Sequence, residues 1–204
     1  MTDLLDLLQG QLSSDAIHAL SKHTGINDDT KTAHASNAIM AFLTNALAKN
    51  TATPQGANAL LGALDRDHDG GVLNDVIGLV TGNMGAKYNS KALNGIGILG
   101  HILGARQNSA IEAIGKMTGL RKNQTAMLMV KLAPLVLGML GKKKKEENLR
   151  APDLSDLLGD SIAKREPAAE RSVISKILDR DGDGSVMDEI GSMGMKVLGN
   201  YLFR

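Results

Sequence analysis

Two stretches, "LDRDHDGG" (64–71) and "LDRDGDGS" (178–185), each place three aspartates at alternate positions with a glycine directly after the third. Carboxylates at that spacing are what a hard cation takes. Calcium is held by roughly six to eight oxygens, and the EF-hand loop gathers them from positions 1, 3, 5, 7, 9 and 12, with a glycine at position 6 for the sharp turn. Counting from Asp65, positions 1, 3 and 5 are Asp65, Asp67 and Asp69, position 6 is Gly70, and position 8 is the apolar Val72. The second loop matches with Asp179, Asp181, Asp183, Gly184 and Val186. Position 12 departs from the pattern, being Val76 in one loop and Ile190 in the other, so the shell must close earlier. Oxygen-bearing side chains stand at positions 10 and 11, Asn74 and Asp75 in the first loop and Asp188 and Glu189 in the second. The equivalent pair Asp75 and Glu189 is the choice for the closing ligands. Ca²⁺ is expected ahead of Mg²⁺, which takes fewer protein carboxylates and keeps its waters. The competing reading is a helix N-terminus rich in Asp, since Asp caps well and the helix dipole favours acids there.

The elements that position these loops read as helices. Ile39, Phe42, Leu43, Ala46 and Leu47 follow the spacing of one buried helical face, and Ala16, Ile17 and Leu20 start a similar stripe. Thr53-Pro54 has the form of an N-cap followed by proline at the first helical position. Gly25 and Gly119 stand where helices need a left-handed C-terminal residue. No run of alternating β-branched residues predicts a strand, so the fold class is all-α. "AIHALSKHTG" (16–25) and "AIEAIGKMTG" (110–119) agree at six of ten positions. Each is followed by a polar turn, a long apolar helix (36–49 and 125–140) and an Asp-rich loop. An internal duplication is expected, with a first repeat over 1–90 and a second over 91–204. "GKKKKEENLRAPD" (141–153) then reads as a solvated, Lys-rich linker within the second repeat.

Composition narrows the function. The 204 residues carry a formal charge of +1, so no whole-chain field favours nucleic acid or an anionic membrane. The absence of Cys excludes thiolate metal sites and a Cys nucleophile. With 2% aromatic residues and no Trp, the core must be aliphatic, with methionine as filler. The N-terminus carries acids where a secretory signal would be basic. The longest apolar candidate, 126–141, is interrupted by Lys131 and Pro134, so no spanning helix is expected and the cytoplasm is the default compartment. "GIGILG" (95–100) has the glycines of a dinucleotide loop without the preceding strand, and a close helix crossing or a flexible glycine-rich segment explains it better. The histidines show no ligand spacing, and His68, at position 4 of its loop, is expected to point outward. No catalytic triad can be assembled from the serines, so nothing argues for an enzyme.

"ILGHILGARQNSAIEAIGKMTGL", "LMVKLAPLVLGMLG" and "ILDRDGDGSVMDEIGSM" together resemble bacterial proteins of the domain-of-unknown-function family 937. The resemblance runs from about residue 4 over most of the chain, with the Leu-Ala-Pro helix and the terminal Asp loop as its most specific part. It implies a helical fold and bacterial origin, and hands over no catalytic residue. The expectation is a non-enzymatic calcium-binding helical protein with a structural or scaffolding role, self-associating through its related halves or binding a protein partner. Two alternatives are a calcium-responsive adaptor that exposes an apolar groove, and a membrane-surface protein working through residues 92–104.

Overall fold

Helix α9, Lys122–Glu147, is the axis of the molecule. Its sequence is apolar on every side through Leu128, Met129, Leu132, Leu135, Val136, Met139 and Leu140, all of them buried, which is the pattern of a helix enclosed by others rather than one lying on a surface. By length and composition it could cross a membrane, but 78% of its apolar stretch is buried inside the protein, so it serves as the core helix. The structure is a computed structural model that describes residues 4–84 and 90–163, and these are all-helical, without a strand.

The helices around this axis follow in chain order. Helix α1, Leu4–Gln11, lies against α9 with Leu4 and Leu8 fully buried. Helices α2, Ser14–His23, and α3, Asp29–Asn50, form a hairpin. The stripe from Ile39 to Leu47 faces the core as the periodicity predicts. Helix α4, Pro54–Asp67, starts where Thr53 accepts a hydrogen bond from the Gly56 N–H at 3.2 Å. A 3₁₀ turn over Gly71–Asp75 leads into the short helix α5, Val76–Thr81. Then come α6, Ser90–Leu93, and α7, Gly95–Leu103. Helix α8, Gln107–Thr118, and α9 make a second hairpin, and α10, Ala151–Ala163, closes over α3 and α4. Both expected repeats contribute to one continuous hydrophobic cluster.

The two hairpins turn by the same local contacts. Gly25 and Gly119 both take φ of +67°, the left-handed conformation expected of them. The Ile26 N–H donates to the Ser21 carbonyl and the Leu120 N–H to the Gly115 carbonyl, both at 3.0 Å, closing the same type of cap.

The lysine run requires a correction. Residues 141–147 are the last two turns of α9, not a linker. Lysine and glutamate are good helix formers, and they stand four residues apart in the pairs Lys142–Glu146 and Lys143–Glu147. Lysines in the last turns also suit the negative end of the helix dipole. The helix stops at Asn148, which takes the left-handed conformation with φ of +55°. Residues 179–190, with the second acidic loop, lie outside the described residues.

Candidate functional site

The first acidic loop is not built as its spacing suggests. Helix α4 runs through Asp67, so Asp65 and Asp67 stand on a helix rather than in a loop. Alternate positions converge on an extended or looped chain, but on a helix they are about 200° apart around the axis. Asp65 accordingly reaches Lys144 on α9, while Asp67 turns toward a cleft on the other side of α4. The Asp69 carboxylate accepts the Gly71 N–H at 3.0 Å. The Asp75 carboxylate accepts the Gly78 N–H at 2.7 Å and thereby caps α5, so at this residue the helix-cap reading holds. Asp65, Asp67, Asp69 and Asp75 are not brought to one centre, and among the described residues no group of three or more His, Cys, Asp or Glu is arranged to hold a metal ion. Gly70 does take the left-handed conformation, with φ of +94°, and Val72 does point into the core. Asp179, Asp181, Asp183 and Glu189 lie outside the described residues.

The loop is held by α9. A Cβ on Gly141 would lie 1.6 Å from the His68 carbonyl oxygen, and one on Gly138 would lie 2.5 Å from the Val72 side chain. A Cβ on Gly70 would meet that of Lys142 at 2.8 Å. Three glycines therefore let the loop backbone and the helix sit closer than any side chain would permit. Lys144 adds an ammonium at the Asp65 carboxylate. Nothing in the local sequence announces this pairing, because its partners are 79 residues apart.

His68 also departs from expectation. It is buried, with 6% of its surface exposed, and its Nδ1 has no hydrogen-bond partner. It caps the end of α4, with its backbone carbonyl pressed onto Gly141, and its ring lies inward rather than out to solvent. Burial pushes its pKa below the ordinary histidine value, partly opposed by the Asp67 charge.

His68 and Asp67 border a cleft of about 830 Å³. One wall is α4, with Leu60, Ala63 and Arg66. The facing wall is α7, with Ile98, His101 and Ile102, preceded by Asn94 and Lys91. Leu47 and Asn50 from the end of α3 and Leu137 from α9 complete the lining. Asn50 is fixed there by donating from its side-chain amide to the Ile102 carbonyl at 2.9 Å. The lining is more apolar than polar.

The glycine-rich segment of α7 is a close helix crossing. A Cβ on Gly95 would stand 1.9 Å from the Val130 carbonyl oxygen. That is the carbonyl left without its intrahelical donor by Pro134, four residues on, so the freed oxygen faces a position that only glycine can occupy. The apolar side chains Ile98, Leu99, Ile102 and Leu103 of this segment point into the protein, and Ile96 is exposed. Met40, Met129 and Met139 are buried as core filler, whereas Met117 and Met127 are exposed.

The model of a bacterial family of unknown function, DUF937, matches residues 6–143. The match takes in the first acidic loop and the Leu-Ala-Pro helix but stops short of the terminal loop, which is therefore no part of the family likeness found. No curated protein and no solved structure matches the chain. With more than half of its residues covered by that match, the chain belongs to the bacterial protein family DUF937.

Proposed function

We propose that this protein is a non-enzymatic helical scaffold in which acidic loops tie helix ends together, and that the two loops use different cations. In the first loop the cation is the protein's own Lys144. In the second, Asp179, Asp181, Asp183 and Glu189 take Ca²⁺. The observation that supports this reading is the seating of residues 65–72 on α9, where Gly141 receives the loop backbone at His68, Gly138 receives the Val72 side chain and Lys144 meets Asp65. A loop so placed joins α4, α5 and the core helix. The shared turns of the two hairpins support descent of the two halves from one duplicated unit, and related surfaces of that kind favour self-association.

Thermal melts of the full chain in Ca²⁺ and in EDTA test the proposal. Bound calcium adds stability of about RT ln(1+[Ca²⁺]/Kd), so Ca²⁺ should raise Tm in the native chain and in Asp65→Asn, and should not do so in Asp179→Asn. Asp65→Asn should lower Tm in EDTA. Loss of the calcium response in Asp65→Asn alone would reverse the assignment of the loops.

A further inference from the structure

We infer that the cleft between α4 and α7 is a binding site for a small amphipathic anion, a medium-chain acyl or alkyl group ending in a carboxylate or phosphate. Its volume, about 830 Å³, lies in the range of small-molecule sites, which are mostly apolar with a few convergent polar groups. The apolar body of such a ligand has a matching floor in Leu47, Leu60, Ile98, Ile102 and Leu137, contributed by four different helices. The head group has cationic partners at the rim. Arg66 and Lys91 line the cleft with a single acid, Asp67, so the charged groups there favour an anion over a cation. Arg66 makes no ion pair with a described residue.

His68 is a buried polar group beside the cleft. A buried polar atom without a partner costs about 1–3 kcal/mol, and the great majority of such atoms are paired in folded proteins. His68 borders this cleft, is 94% buried by its 6% exposure, and leaves Nδ1 unpaired. This binding is separate from the acidic-loop reading: the loop faces α9 through Asp65 and Lys144, on the side of α4 opposite to the cleft.

The test uses the full chain and four probes: octanoate, octyl phosphate, butyrate and octyltrimethylammonium. Amide chemical shifts are followed in a ¹H–¹⁵N correlation spectrum. Octanoate, octyl phosphate or both should give saturable shifts confined to the amides around 56–68 and 94–102, and the two arms show whether a carboxylate or a phosphate head is taken. Butyrate, which lacks the tail, and the cationic probe should bind at least tenfold more weakly. Arg66→Gln, an exposed substitution, should weaken the anionic probe about fivefold or more. Ala63→Phe, which fills the cleft from its rim, should abolish binding while leaving the spectrum of the core unchanged. No saturable shift with either anionic probe, equal binding of the cationic probe, or undiminished binding to a folded Ala63→Phe variant would each overturn the inference.

Discussion

The two helical hairpins, α2–α3 and α8–α9, share their turns and differ in what their long helices do. Each carries a polar pair across the turn at corresponding places, a His18–Asp29 hydrogen bond at 2.9 Å in the first and a Glu112–Lys122 ion pair at 2.6 Å in the second, with the acid on opposite sides of the turn. Each long helix begins with half of a reciprocal cap. In the first, the Asp28 side chain accepts the Lys31 N–H at 2.9 Å. In the second, the Gln124 side chain reaches back to accept the Arg121 N–H at 3.1 Å. Gln124 also donates to the Gly25 carbonyl at 2.7 Å, so the cap of the second hairpin is fastened to the turn of the first. Beyond the turns the likeness ends. Helix α3 has no glycine and packs through side chains, whereas α9 carries Gly138 and Gly141, onto which the acidic loop is laid. Similar local sequence reproduces a turn, while the positions of small residues decide which helix becomes the axis.

The sharpest way to break the comparison is at Gly141. Gly141→Val drives a side chain into the His68 carbonyl, and overpacking of this kind costs on the order of 3 kcal/mol or more where backbone must move. Gly100→Ala, where a Cβ would meet nothing within 4 Å, should instead be neutral or stabilise by up to about 1 kcal/mol. Urea unfolding measures both, and equal effects at the two glycines would remove the special role of α9's bare face. The next largest effect is expected at the joint between the hairpins. Gln124→Ala loses the cap and the link to Gly25, and should cost about 2 kcal/mol for two hydrogen bonds of a largely buried amide. Asp28→Ala removes only a cap and should cost about 1 kcal/mol by the same measurement.

The smallest effect concerns the polar pairs across the turns. Asp29 is held below the ordinary carboxylate range chiefly by its hydrogen bond to His18, and Glu112 chiefly by its hydrogen bond to Lys122. A folded-state pKa lowered in this way contributes stability that is present above the unfolded value, 3.8 for Asp and 4.5 for Glu, and is lost as pH falls through the lower folded value. Both hairpins should therefore lose this contribution on the acid side. Asp29→Asn and Glu112→Gln should each flatten the acid limb of a plot of stability against pH slightly, because exposed pairs contribute little.

Local signals were legible and distant pairings were not. The apolar face from Ile39 to Leu47, the Thr53-Pro54 start of α4, the left-handed Gly25 and Gly119, and the crossing at "GIGILG" all follow from periodicity or from the conformational needs of single residues. The reach of α9 through the lysine run is hidden in the sequence because its charge density resembles that of a solvated linker, while the helix propensity and i, i+4 pairing of the same residues carry the helix on. The relation of Asp65 to Asp67 is not legible locally, because alternate spacing has opposite meanings on a loop and on a helix and no residue marks where α4 ends. The burial of His68 has no local signal, since the helix its backbone packs on, at Gly141, lies 73 positions away. Arg66 and the cleft it borders depend on the approach of α4 to α7, which no local pattern encodes.

The difference between the two acidic loops is tested most directly by calcium titration of the full chain in a calorimeter. The account predicts one Ca²⁺ per chain, abolished by Asp181→Asn and unchanged by Asp67→Asn. Two ions per chain, or loss of binding on substitution of Asp67, would contradict it, because Asp67 would then have to leave the cleft side of α4 and join Asp65 at a common centre.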